Sequence, residues 1–99
     1  MNKNIAIPKD KVADFCRRHH IQKLAVFGSA LGDDFGPDSD VDMLVEFEKD
    51  WEPGFMGLAS MERELSSIIG WQADIRTPED LSRLFRDEVI NAAEVQYAQ

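Results

Sequence analysis

Residues 28–47 read GSALGDDFGPDSDVDMLVEF, and this stretch decides the fold. The turn Gly28-Ser29 ends the apolar run QKLAVFG, which we predict to be a short strand. Ten residues, 30–39, separate Ser29 from Asp40, and Asp40 and Asp42 open a second apolar run. Carboxylates are poor strand formers. Their position at the start of a strand therefore indicates either a turn whose acidic residues continue into the strand or a metal site.

The second apolar run, DVDMLVEF (40–47), has the alternation of a strand with one buried face. Because successive side chains point to opposite faces, Asp40 and Asp42 share a face. Leu44 and Glu46 follow on that side. The opposite face is apolar and is expected to pack in the core; it consists of Val41, Met43, Val45 and Phe47.

Three common ligand-binding loops are excluded for this stretch. In a calcium-binding EF-hand loop starting at Asp38, Met43 stands where glycine is needed and Lys49 where glutamate is needed. No lysine follows any of the glycines, which rules out a phosphate-binding P-loop. The glycines are spaced four apart, so the dinucleotide pattern GxGxxG is also missing.

The rest of the chain alternates between helical and extended patterns. We predict a helix after Pro8, a helix over Phe55–Ile69 that Gly70 ends, a strand over WQADIRT (71–77), and a last helical region from Pro78. The apolar stripe of that last region consists of Leu81, Leu84, Phe85, Val89 and Ile90. The order αβαβαβα with helical crossovers predicts a single α/β domain over residues 1–99, with helices around a small sheet.

Composition narrows the classes of function. The 99 residues carry 11 basic and 19 acidic side chains, a formal net charge of −8, which argues against non-specific nucleic-acid binding. No apolar run has membrane-spanning length, and the single cysteine, Cys16, cannot form an internal disulfide. We therefore expect a cytoplasmic protein without membrane contact, in which Cys16 packs in the first helix.

The acidic residues and the turn suggest a common chemistry. Backbone amides of the Gly28-Ser29 turn, leading into a helix, could bind a terminal phosphate, and the Ser29 hydroxyl adds a donor. Asp40 and Asp42 could hold magnesium, and Asp74 would complete a three-carboxylate site if its strand were adjacent. Two carboxylates about 4 Å apart repel by roughly 4 kcal/mol at an effective dielectric of 20. Such a cluster needs a cation.

The stretch 28–47, followed by ADIRTPEDL (73–81), resembles the minimal nucleotidyltransferases of the DNA-polymerase-β superfamily. Within that group it is most similar to the antitoxin partners of HEPN-domain toxins, over nearly the whole chain. The resemblance implies a nucleotidyltransferase fold, a small mixed sheet flanked by helices. It also implies that Gly28 and Ser29 contact nucleotide phosphates, that Asp40 and Asp42 bind Mg²⁺, and that Asp74 is the third catalytic, metal-site carboxylate.

The resemblance further implies transfer of a nucleoside monophosphate, AMP from ATP, to a tyrosine of a partner HEPN ribonuclease, which is thereby silenced. Many relatives have a basic turn after Gly-Ser, whereas residues 30–33 here read ALGD. Lys23 and Arg76 are the candidate replacement cations. Two alternatives remain open: transfer to a small molecule, and an antitoxin that neutralises its toxin by contact alone.

Two further groups of residues have structural and functional interpretations. Adjacent residues of a helix point in different directions, so we expect structural or surface roles for His19 and His20 rather than a shared metal site. The apolar cluster of Trp51, Phe55 and Met56 forms either a satellite core or a partner-binding patch.

Overall fold

The computed structural model describes all 99 residues and contains a four-stranded mixed sheet flanked by helices. The elements in chain order are α1 (Lys9–Arg18), β1 (Ile21–Phe27), β2 (Val41–Phe47), α2 (Gly54–Ile69), β3 (Ala73–Arg76), α3 (Arg86–Ala92) and β4 (Glu94–Ala98). Two short 3₁₀ turns, Gly28–Leu31 and Pro78–Asp80, lie between them. The predicted fold class, a mixed sheet with flanking helices, is confirmed.

The strand order is β3-β2-β1-β4. Strand β1 pairs antiparallel with both β2 and β4, whereas β2 and β3 are parallel. Helix α2 supplies the crossover that a parallel pair needs. None of the helices combines the length and the hydrophobicity that a membrane span requires.

The core lies on one face of the sheet, beneath α1 and α2. Val41, Met43 and Val45 of β2 are fully buried there, as their alternation predicts. The helices contribute a matching set of buried side chains, among them Val12, Phe15, Cys16, Met61 and Leu65. Burial raises the pKa of the Cys16 thiol to about 12, so this residue packs as a small apolar group.

The opposite face of the sheet is covered in its middle. Leu44, on the same side of β2 as Asp42, is buried, and so is Ala25, its register partner on β1. The Pro78–Asp80 turn contacts β2 and α3 contacts β1. Asp42, at the beginning of β2, lies at the edge of this buried part of the face and is only partly buried.

Two sequence predictions about the order of elements are wrong. The chain between β1 and β2 forms no helical crossover, because these strands are antiparallel and need only the 3₁₀ turn and a loop. The C-terminal region is not one amphipathic helix: α3 has seven residues, Leu84 and Phe85 are exposed, and residues 94–98 form β4. Strand β4 exists because β1 offers a free edge, which no local pattern reveals.

The two histidines contact different partners. His19 Nε2 lies 2.8 Å from Glu64 Oε1, whereas His20 Nδ1 lies 3.2 Å from Glu48 Oε1. The His20 ring also stacks on Trp51, with ring centroids 3.8 Å apart. Both histidines thus hold secondary-structure elements together, as the structural interpretation predicts.

Candidate functional site

The Gly28-Ser29 turn lies against Asp42. Phe27, the last residue of β1, is the register partner of Asp42 on β2, so the turn begins beside this carboxylate. Gly28 has φ +75°, and a Cβ at this position would be 2.4 Å from Asp42 Oδ2. Glycine is therefore required both for the backbone conformation and for the close approach of the carboxylate.

The turn itself differs from the sequence prediction. Gly28–Leu31 is a four-residue 3₁₀ turn and does not lead into a helix. Its leading amides have no partner within the turn, as at any helix start, so donors for a phosphate are still available. Ser29 is exposed and Ala30 is buried, which anchors the turn and leaves the hydroxyl in solvent.

Asn2 holds the far side of the turn, a role that the sequence did not reveal. Its backbone amide donates to Ala30 O at 2.7 Å, and its side-chain amide donates to Gly32 O at 2.8 Å. Asn2 is the buried polar residue of the chain, at 9% exposure. The two residues of this contact are thirty positions apart in the sequence. A single Asn near the start of the chain does not by itself predict such a contact.

Asp42 and Asp74 are brought together by the sheet. They are register partners in the parallel pair β2–β3, and adjacent strands lie about 4.8 Å apart. Asp40 directly precedes β2 and is exposed, whereas Asp42 is partly buried. The structure thus places the predicted turn, Asp42 and Asp74 at one end of the sheet. Asp40 lies just outside this group, before the start of β2.

The electrostatics of Asp42 reflect this crowding. Burial raises the pKa of its carboxyl above the ordinary value, and the charges of Asp74 and Asp40 raise it further. Arg76 acts in the opposite direction. The charged form of Asp42 is therefore disfavoured in the folded protein, which is the environment that a bound cation would relieve.

Only one of the two candidate replacement cations is at the site. Arg76 Nη2 donates to Asp74 Oδ2 at 3.3 Å. Lys23 is the register partner of Glu46, four residues along β1 from Phe27, and about 13 Å away along the strand. Arg76 is therefore the basic side chain that can act with the carboxylates.

The carboxylates fit a hard divalent cation by their donor chemistry. Asp40, Asp42 and Asp74 offer charged oxygens, the ligands that magnesium prefers. No three carboxylate, imidazole or thiolate side chains surround a common point as metal ligands would. An open cavity of about 690 Å³ borders Asp40; its walls include Phe35, Ser39 and Trp71. Of the three candidate carboxylates it borders Asp40 alone, and the Gly28-Ser29 turn, Asp42 and Asp74 lie outside its walls.

Side chains of α2 hold the strand that carries Asp74. Ser66 Oγ accepts a hydrogen bond from the Ala73 amide at 2.8 Å, and Glu62 Oε2 accepts one from the Ile75 amide at 2.7 Å. These two amides flank Asp74 on an edge strand of four residues. Helix α2 therefore satisfies backbone donors that the sheet leaves free, and it fixes Asp74 opposite Asp42.

We expect Ser66→Ala to destabilise the fold by about 1–2 kcal/mol, because the Ala73 amide loses its partner. Ser67→Ala is the matched control, since Ser67 is the exposed neighbour on the same helix. Urea unfolding monitored by circular dichroism measures both free energies. Equal stability of the two variants would show that the Ser66 bond does not hold β3.

Comparison with known proteins identifies the family of this fold. A sequence model of the nucleotidyltransferase domain family matches residues 9–96. A curated relative from Methanocaldococcus jannaschii, named "putative protein adenylyltransferase", is 28% identical over 90 residues, 91% of this chain and 95% of the relative. A solved "putative minimal nucleotidyltransferase" is 29% identical with a TM-score of 0.70, covering 86% of this chain and 85% of that one.

Two solved toxin–antitoxin structures share the fold. One, determined with AMP-PNP, matches with a TM-score of 0.71 at 16% identity, and the match covers 93% of this chain and 74% of that one. The other, MntA-HepT, has a TM-score of 0.64 at 15% identity and covers 92% and 70%. At these identities the likeness concerns the fold alone. Because the family model spans nearly the whole chain, this protein belongs to the nucleotidyltransferase domain family, and its resemblance to the minimal nucleotidyltransferases is confirmed.

Proposed function

We propose that residues 1–99 form a single magnesium-dependent nucleotidyltransferase domain that transfers AMP from ATP to a tyrosine hydroxyl of a HEPN ribonuclease toxin. In this role the protein is an antitoxin of the cytoplasm, where ATP and the ribonuclease's substrates are present. The observation that carries the proposal is the packing of Gly28 against Asp42, with Asp74 as the register partner of Asp42. This arrangement brings the turn, whose amides would bind phosphate, next to two adjacent carboxylates.

The roles of the residues follow from their positions. Asp40 and Asp42 would hold Mg²⁺, with Asp74 as the third carboxylate. When bound there, the metal ion would offset the charge of the nucleotide phosphates and of the leaving pyrophosphate. The amides of the Gly28–Leu31 turn and the Ser29 hydroxyl would donate to phosphate oxygens.

Asp74 would act on the acceptor. Its carboxylate takes the proton of the tyrosine hydroxyl, and the phenolic oxygen attacks the α-phosphorus of ATP. The bond from the α-phosphorus to the oxygen bridging to the β-phosphate breaks, and pyrophosphate leaves with the electron pair. The product is a phosphodiester between tyrosine and AMP.

The names of similar proteins support the reaction and the partner. The relative from Methanocaldococcus jannaschii is named as a protein adenylyltransferase, which uses a protein acceptor. Two structures with this fold are toxin–antitoxin assemblies, one of them with the ATP analogue AMP-PNP. A protein acceptor brings its own hydroxyl, so the domain of residues 1–99 would need no acceptor pocket of its own.

We expect ATP to bind in magnesium and to bind at least about tenfold more weakly in EDTA, because the carboxylates repel a polyphosphate unless a cation lies between them. Isothermal titration calorimetry with ATP under both conditions measures the difference. Equal affinity in magnesium and in EDTA would remove Asp40 and Asp42 from the metal-ligand role and would contradict the proposed mechanism.

One observation favours the second candidate function, neutralisation of the toxin by contact. Phe55 and Met56, at the start of α2, are 85% and 81% exposed, and Trp51 nearby is also exposed. These residues therefore do not form the satellite core that was one of the two predictions. Large apolar residues of this kind are enriched in protein interfaces, so they are available to a partner whether or not transfer occurs.

A further inference from the structure

Arg76 lies beside Asp74 in the candidate site and has no role in the proposed mechanism. It follows Asp74 by two residues on β3, so both side chains lie on the same face of the sheet. Its guanidinium donates to Asp74 Oδ2 at 3.3 Å, with the Arg76 and Asp74 side chains 51% and 30% exposed. The hydrogen bond to Asp74 and the negative charges of Asp74, Asp80 and Asp42 raise the pKa of Arg76.

The site needs a cation of this kind. Residues 30–33, ALGD, supply no basic side chain, and Asp33 and Asp34 add negative charge in the same loop. A nucleotide polyphosphate brings several more negative charges. Arginine has five donors in a planar group that matches phosphate oxygens, and the Asp74 contact uses one of them.

We propose that Arg76 exchanges between two partners: it neutralises Asp74 in the free protein, and it binds the polyphosphate when nucleotide enters. The inference rests on the proposed function, since it assigns the anion-binding residue of that site. An ion pair this exposed stabilises the fold little, so its loss costs little. The release of Arg76 leaves the Asp74 carboxylate without its ion-pair partner, so the carboxylate is available when the nucleotide is in place.

This exchange predicts changes of opposite sign in Arg76→Gln. Magnesium alone should bind about twofold to fivefold more tightly, because the cation competing for Asp74 is gone. ATP with saturating magnesium should bind about 10- to 100-fold more weakly, because a charge-assisted hydrogen bond to phosphate is lost. A residue that merely supports the fold would weaken both ligands together.

Calorimetric titrations with MgCl₂ alone and with ATP in saturating magnesium test the inference on the full chain. Arg83→Gln, an exposed arginine without an ion pair, is the charge-matched control and should match the wild type. Arg76→Lys should recover part of the ATP affinity. Unchanged ATP affinity in Arg76→Gln, or weaker magnesium binding, overturns the inference while the proposed function stands. Absence of ATP binding to the wild type overturns both.

Discussion

The double variant Asp40→Asn/Asp42→Asn should lose nucleotidyl transfer by at least about 1,000-fold, because each asparagine offers one neutral oxygen where the metal needs an anionic ligand. The fold should persist, since these substitutions are nearly isosteric and Val41, Met43 and Val45 still pack on the other face. Asp42→Asn also removes a partly buried charge whose raised pKa shows that folding disfavours it. The unfolding free energy of the metal-free protein should therefore be unchanged or slightly higher.

Co-expression with the toxin measures the result. With the wild type, the intact mass of the toxin should increase by one or more AMP groups, and with the double variant this added mass should disappear. Toxicity should then return although the two proteins still co-purify. Asp33→Asn/Asp34→Asn is the matched control, because it removes the same charge from two exposed residues of the loop that precedes β2.

The opposite outcome would identify the second candidate function. If the double variant protects cells as well as the wild type and the toxin never gains mass, transfer is not how this protein neutralises its partner. The exposed Phe55 and Met56 would then be the first residues to substitute, because a contact antitoxin must bury apolar surface against its toxin.

Gly28→Ala should have the second largest effect. The new Cβ would lie 2.4 Å from Asp42 Oδ2, and alanine at φ +75° is strained, so the turn or the carboxylate must move. We expect a loss of about 2 kcal/mol or more in unfolding free energy. We also expect ATP affinity in magnesium to fall by at least about 100-fold. Relieving the contact moves the turn away from Asp42 and so separates the phosphate donors from the metal ligand.

Two other glycines separate the causes. Gly70 also has a positive φ, +78°, but has open space where a Cβ would lie, so Gly70→Ala carries the backbone strain without the contact. Gly36 has neither feature, and Gly36→Ala should behave as the wild type. Urea unfolding and ATP calorimetry measure the three variants. ATP binding by Gly28→Ala at wild-type affinity would show that the turn does not contact the nucleotide.

Much of the site was predictable because its signals are local. The spacing of Gly28, Ser29, Asp40 and Asp42 lies within one stretch, and the alternation over 41–47 correctly assigned the faces of β2. Helix α2 was predicted within one residue, and Gly70 ends it in the left-handed conformation. Such features depend on the period of the side-chain pattern and on the backbone preferences of each residue, and both can be read from a short stretch of sequence.

Features that depend on pairing between distant segments were not predictable. Strand β4 has a weak pattern and forms because β1, some seventy residues earlier, offers an edge. Two further sets of contacts join segments that are separate in the sequence: those of Asn2 with the turn, and those of Ser66 and Glu62 with β3. The sequence of one segment does not indicate which other segment it will contact.

The choice between Lys23 and Arg76 shows the same division. The sequence by itself determined that two cations were available and that three aspartates could form a site. Only the strand register placed Asp74 beside Asp42, with Arg76 on the same face and Lys23 at the far end of the sheet. Register is set by packing and by hydrogen bonds across strands, so it is a property of the folded chain and not of any one segment.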